Sequence, residues 1–189
     1  PYTTLFRSDR LANVHCKVKL VPALADLVSG RVTVDAMREV DVEDLLGRET
    51  IAADGVLLAQ CIADKVVMVT GAGGSIGSEL CRQIVRLGPR RLLLLDISEF
   101  SLYSIEQELI ALCAEIEANV ELVPVLGTVM NGNRSEMLMR HFAVDTVYHA
   151  AAYKHVPMVE HNPIEGICNN AVGTRRTAEA ALAAGVDTF

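Results

Sequence analysis

Between Val66 and Leu87 an apolar run, VVMVT, passes without a linker into GAGGSIG and then into an amphipathic stretch that starts at Ser75. A glycine-rich turn held between a strand and a helix presents backbone N–H groups, and the positive end of the helix dipole, to an anion. The glycines fall as G-x-x-G-x-x-G at Gly71, Gly74 and Gly77, whereas G-x-G-x-x-G fails because Ile76 stands where its last glycine belongs. Each has a physical job. Gly71 permits the tight turn off the strand, Gly74 removes the Cβ that would hold a phosphate away, and Gly77 lets helix and strand pack closely. The turn therefore predicts a cradle for the pyrophosphate of a dinucleotide. Ser78 follows Gly77, where an NTPase loop would carry lysine, so NTP hydrolysis is disfavoured.

Downstream the hydrophobic period keeps alternating. Apolar runs at Val66 to Val69, Leu92 to Leu95, Val120 to Leu126 and Thr146 to His149 are separated by helical patterns at Ser75 to Leu87, Phe100 to Glu117, Arg134 to Phe142 and Glu165 to Ala184. Continuously apolar strands joined by helices predict an α/β fold, a Rossmann-like parallel sheet with helices on both faces. Asp96 closes the second strand 19 residues after Gly77, near the spacing of a carboxylate that accepts from an adenosine 2′-OH and repels a 2′-phosphate. That favours NAD, with NADP the other possibility. Asp96, Ser98 and Glu99 also read as a cap for the helix beginning near Phe100, and the two roles are compatible.

The charge balance narrows the partners. A net charge of −7 with no basic run gives no footprint for nucleic acid. No apolar stretch approaches the ~18 residues of a membrane span, and no signal-peptide pattern opens the chain, which predicts a cytoplasmic setting. Cys16, Cys61, Cys81, Cys113 and Cys168 lack a C-x-x-C pair and are expected to be reduced. His149, His155 and His161 recur every six residues, which matches no zinc spacing, so no metal site is expected. Residues 1–8, PYTTLFRS, resemble the translation of a sequencing adapter and are set aside. Residues 9–63 hold short elements and read as the linker or tail of an upstream domain: a helical Val21 to Ser29, an extended Arg31 to Val34, an acidic Glu39 to Arg48 and a helix from Asp54 to Ala63. Residues 64–189 read as the dinucleotide-binding domain, and Val186 to Phe189 as the entry to a further strand, so the sheet is expected to be truncated on its C-terminal side.

TGAGGSIGSEL from Thr70, LLDISE from Leu94, HAAAYKHVPMVEHNP from His149 and NNAVGT from Asn169, in that order, resemble the extended short-chain dehydrogenase/reductase superfamily. More narrowly they resemble its CapD-type polysaccharide biosynthesis proteins, nucleotide-sugar 4,6-dehydratases and epimerases. The resemblance runs from about Val21 to Phe189, with AAYKHVP as its specific part. VPALADLVSG and REVDVEDLLGR resemble the stretch joining the upstream and catalytic domains in longer, membrane-anchored members, so anchoring to the inner face of the cell membrane by upstream segments is implied.

Carried over by that resemblance, Gly71, Gly74, Ser75, Ile76 and Gly77 would line the pyrophosphate, Asp96 and Ser98 the adenosine ribose, and Ala150, Ala151 and Ala152 the nicotinamide side. Small residues suit a cofactor lying across strand ends, although ordinary packing also uses them. Lys154 is a candidate for a cofactor or sugar-diphosphate oxygen, or else a solvated loop lysine. Asn170 and Thr174 match the N-x-x-G-T element, with Asn170 the site candidate and a satisfied polar pair on a packed helix the alternative. Thr128 stands where many members carry an aspartate against adenine. The implied chemistry is redox-neutral: oxidation at the sugar 4-position makes a ketone that acidifies the neighbouring proton, so water leaves from the 6-position before the hydride returns. The acid and base of the family lie in an S-T-D-K-type motif and a following Tyr or Met plus Lys, expected beyond Phe189. Tyr153 cannot replace them, because Pro157 stands where a Tyr-x-x-x-Lys pair needs lysine. The reading is an NAD-binding portion, inactive alone, of a homo-oligomeric enzyme acting on a UDP-sugar. A non-catalytic NAD(P)-sensing regulatory module is the alternative.

Overall fold

The computed structural model describes residues 19–20, 38–39 and 54–189. Chain contacts divide into two units, Pro1–Ala53 and Asp54–Phe189. In the first, strand β1 (Lys19–Leu20) pairs antiparallel with β2 (Arg38–Glu39). The expected helix over Val21 to Ser29, the extended Arg31 to Val34, most of the acidic Glu39 to Arg48 segment, and Cys16 lie outside the described residues.

The second unit opens on α1 (Gly55–Ile62), where the Asp54 carboxylate accepts from Val56 N at 2.9 Å and Leu57 N at 3.2 Å. There follow β3 (Val66–Thr70), α2 (Ser75–Arg86), β4 (Arg91–Asp96), α3 (Glu99–Glu115), β5 (Glu121–Leu126), α4 (Gly132–Phe142) and β6 (Thr146–His149). Their pairings are all parallel, in the spatial order β5-β4-β3-β6. This is the order of a dinucleotide-binding half, with the chain crossing from β5 back to the far side of β3. Pro124 sits in β5, which pairs with β4 alone among the described residues, and on an edge strand a missing N–H costs no ladder bond. Beyond β6, Thr188 forms a parallel bridge to Thr146, as expected of a strand entry.

Both faces of the sheet are covered. Val67, Val69, Leu92 and Leu94 pack with Ile62, Ile84, Ile105 and Leu109 under α1, α2 and α3. On the opposite face Met68, Leu93, Leu95 and Val147 pack with Met139 of α4 and with Ala180 and Ala181 of the last helix. Alternate residues of each strand serve opposite faces, which is why the strands read as unbroken apolar runs.

Ile62 is only 2% exposed and belongs to the sheet's own core, so α1 falls in the compact unit that begins at Asp54. One expectation is corrected. The helix expected from Glu165 to Ala184 is not one regular helix. It comprises α6 (Pro163–Ile167), a π-helical turn (Cys168–Gly173) and α7 (Thr174–Ala184), preceded by a separate α5 (Val156–His161) that the periodicity did not reveal. Pro157 and Pro163 each stand in a first helical turn, where the absent N–H is not needed. Gly185, at φ +78°, closes α7. Burial pushes the Cys81 thiol up to about 12, leaving it a packing residue. No helix among the described residues is long and apolar enough to cross a membrane.

Candidate cofactor site

The parallel sheet brings the C-terminal ends of all four strands to one edge, and a groove lies across them. Its lining comes from the glycine turn (Gly71, Gly73, Gly74), the end of β4 (Leu95, Asp96, Ile97), the end of β5 (Gly127, Thr128, Val129) and the segment after β6 (Ala150, Ala151, Ala152, Tyr153), with Ser101 and Asn169 completing it. Ligands of open α/β sheets collect at such a place.

The turn is shaped by close backbone approach. Gly71 has φ +68°, and a Cβ there would lie 2.7 Å from Ala151 N and Cα. Gly77 packs more tightly still: a Cβ would sit 1.9 Å from the Gly71 carbonyl oxygen. Its contact is therefore with the turn itself, a closer partner than the strand expected from the motif. A Cβ at Gly74 would meet only Gly71 O, at 3.2 Å, and would otherwise face open space. α2 starts immediately behind, with Gly74 as its N-cap and no side-chain cap, so the first N–H groups of the helix keep their donor capacity.

Asp96 is 8% exposed and braces this turn. Its Oδ2 accepts from Gly73 N and its Oδ1 from Ser98 N, each at 2.8 Å. Each oxygen retains acceptor capacity for a hydroxyl in the groove. Ser98, expected at a ribose, is instead taken up at the start of α3, where its Oγ accepts from Ser101 N at 3.3 Å and bonds to Ser101 Oγ at 3.0 Å. Ile76 is 63% exposed on the first turn of α2 and does not line the groove.

A second, mainly apolar cavity adjoins the groove, bounded by Ser75, Lys154, His155, Met158 and Val159 and sharing Gly74, Ala152 and Tyr153 with it. Lys154 Nζ donates to Ser75 Oγ at 3.1 Å across this boundary, so Lys154 is held beside the helix N-terminus. The expectation that Asn170 faces a ligand gives way to a bracing role: its Oδ1 accepts from Tyr153 N and its Nδ2 donates to Tyr153 O, both at 2.8 Å. The neighbouring Asn169 lines the groove instead. The π-helical turn sets which of the two asparagines faces which way, and no sequence signal distinguished them. Gly73, Gly127 and Val129 also escaped the sequence reading; the middle glycine of GAGG was the available hint for Gly73. Thr128 lines the groove where an aspartate was in question, and its Oγ1 accepts from Met130 N at 3.2 Å. Among the described residues no cluster of three or more metal-ligating side chains occurs.

The residues fit a dinucleotide by their chemistry: bare N–H groups and an unsubstituted Gly74 where a pyrophosphate would lie, a carboxylate at the β4 end, and small residues past β6. Comparison with known proteins agrees with this architecture. Residues 67–189 match a family model described as polysaccharide biosynthesis protein. The chain is 44% identical over 170 residues to the capsular polysaccharide biosynthesis protein CapD of Staphylococcus aureus, covering 89% of this chain and 28% of that protein. It is 40% identical over 172 residues to the probable polysaccharide biosynthesis protein EpsC of Bacillus subtilis, covering 91% and 28%. A UDP-glucose 4-epimerase from Stenotrophomonas maltophila, solved with bound NAD and formylated UDP-arabinopyranose, is similar in fold with a TM-score of 0.55 at 25% identity, over 65% of this chain and 34% of that one. The chain thus spans 28% of the length of its two curated relatives, and it belongs to the polysaccharide biosynthesis protein family.

Proposed function

We propose that this chain is the NAD-binding part of a nucleotide-diphosphate-sugar 4,6-dehydratase or epimerase of polysaccharide biosynthesis. The observation that carries the reading is the groove in which the Gly71 to Gly77 turn, the Asp96 carboxylate and Ala150 to Ala152 converge across the strand ends. Bound there, NAD supplies reversible hydride exchange with the sugar ring. The N–H groups of the first turn of α2 hold the pyrophosphate, with the glycine turn, whose own N–H groups donate to Leu95 O, Asp96 Oδ2 and Gly71 O, shaping the space in front of them. Asp96 accepts from the adenosine ribose, and its negative charge disfavours a 2′-phosphate. Ala150, Ala151 and Ala152 leave room for the nicotinamide end, and Lys154 stands close enough to Ser75 to place a positive charge near phosphate oxygens.

The general acid and base belong, in this proposal, to residues outside the chain, since Tyr153 lacks the lysine partner four residues on. A UDP-sugar substrate is part of the same reading, supported by the likeness to a UDP-glucose 4-epimerase solved with a UDP-sugar; homo-oligomeric assembly and upstream membrane anchoring are further parts of the proposal. The family membership supports an enzyme rather than the cofactor-sensing module.

Calorimetric titration of the chain with NAD tests the reading. One saturable site is expected, together with at least roughly tenfold weaker binding to Gly74→Val, a loss equivalent to ~1.4 kcal/mol or more. Absence of saturable NAD binding by the folded chain contradicts it. Incubation with NAD and UDP-N-acetylglucosamine is expected to leave the sugar unchanged; turnover would return the acid and base to this chain.

A further inference from the structure

Thr70 and His149 are cross-strand partners at the ends of β3 and β6, immediately before the two segments that form opposite sides of the groove. Their side chains meet, with Thr70 Oγ1 2.8 Å from His149 Nδ1. The other ring nitrogen, Nε2, lies 3.0 Å from Thr174 Oγ1 at the start of α7. Thr174 Oγ1 donates its single hydrogen to Asn170 O at 2.6 Å. It therefore has no hydrogen left for the imidazole and must accept from it. This fixes the tautomer: Nε2 carries the proton, and Nδ1 is bare and accepts from the Thr70 hydroxyl. The path continues through Asn170, whose side-chain amide grips both backbone polar groups of Tyr153.

We propose that His149, as the neutral Nε2–H tautomer, is a positioning residue that ties the glycine turn to the Ala150 to Tyr153 segment and so sets the width of the dinucleotide groove. The inference rests on the cofactor reading for its purpose, but the mechanical link stands on the hydrogen bonds alone. Thr70 precedes Gly71 directly, and Tyr153 N and O have no freedom to drift while Asn170 holds them. A displacement at either end is passed along Thr70, His149, Thr174 and Asn170 to the other. The direct contact of the two segments, through Ala150 N donating to Thr70 O at 3.0 Å, fixes their roots; the imidazole path fixes the far side of the loop. Burial holds the imidazole below the usual histidine range, in keeping with a ring that stays neutral. Phe189 stacks on its face with centroids 5.9 Å apart, which leaves both nitrogens to the threonines. Thr70, His149, Asn170 and Thr174 line neither the groove nor the adjoining cavity, so the role is one of spacing.

Residue-resolved amide exchange on the whole chain without cofactor tests the link. Thr174→Val removes the acceptor at one end and is expected to speed exchange at Gly71 and Ala72, on the opposite side of the groove, by roughly fivefold, the scale of one hydrogen bond. Thr70→Val is expected to speed Tyr153 reciprocally. Thr174→Ser, which keeps the hydroxyl, should restore the slower rates. Leu109, on the buried face of α3, should exchange unchanged in every variant. Effects confined to the mutated side, or a Thr174→Ser variant no better than Thr174→Val, overturn the proposal. Long-range proton–nitrogen spectra of the unaltered chain give a second test that needs no variant: an Nε2–H imidazole supports the path, and an Nδ1–H or charged ring at neutral pH overturns it. Failure of the unaltered chain to bind NAD would overturn the proposed function and leave this link to be judged by exchange.

Discussion

A methyl group added at Gly77 would land 1.9 Å from the Gly71 carbonyl oxygen, so the turn and α2 cannot both keep their places in a Gly77→Ala variant. Overpacking of this kind costs about 1–3 kcal/mol. Denaturant unfolding should show that loss, and NAD affinity should fall with it. Asp96→Asn keeps the size of the side chain but removes the charge; its preference for NAD over NADP is expected to shrink by roughly tenfold in parallel titrations, ~1.4 kcal/mol. The third prediction concerns pH. His149 has its folded pKa below the ordinary 6.5, so the unfolded chain binds the extra proton first as pH falls. The stability it contributes is complete above 6.5 and is lost as pH drops through the window beneath it. Melts should show a declining midpoint on acidification from neutrality, and His149→Gln should flatten that decline. An equal decline in both proteins would remove His149 as its source. Of the residues involved, Gly71, Gly74 and Asp96 were legible because spacing after an apolar strand fixes their place. His149 was not, since its role depends on Thr174, 25 residues away, which only packing brings near.

Among the elements, the four strands and α2, α3 and α4 follow directly from hydrophobic period and caps. The last third of the chain departs from that rule because local chemistry competes with periodicity. Prolines at the starts of α5 and α6 permit new helices within a few residues, and the π-helical turn shifts the register between Asn169 and Asn170. The helix α1 shows a different limit: its pattern was readable, but its allegiance was set by burial of Ile62 against the sheet. A version beginning at Asp54 is therefore expected to melt cooperatively, whereas one beginning at Lys65 should be less stable or unfolded. Ile62→Ala in the whole chain should cost about 2–5 kcal/mol, measured by urea unfolding. An unchanged midpoint would return α1 to the upstream unit.

For the molecule as a whole, function follows from strand order. The sequence β5-β4-β3-β6 places residues from four separate connections along one edge, where Gly71, Asp96, Gly127 and Ala150 line a common groove although they are scattered along the chain. The glycine turn and its acid could be read as a motif; the contribution of the β5 end, Gly127 and Val129, became visible only once the sheet was assembled. The proposed function depends on that groove being the dinucleotide site. Chemical-shift mapping of the chain during titration with NAD puts this to the test. Saturable shifts are expected to concentrate at Gly71, Gly74, Asp96 and Ala150 to Ala152. Saturable shifts confined to other surfaces, such as the polar groove between α4 and α7, or no saturable shifts from folded protein, would contradict it.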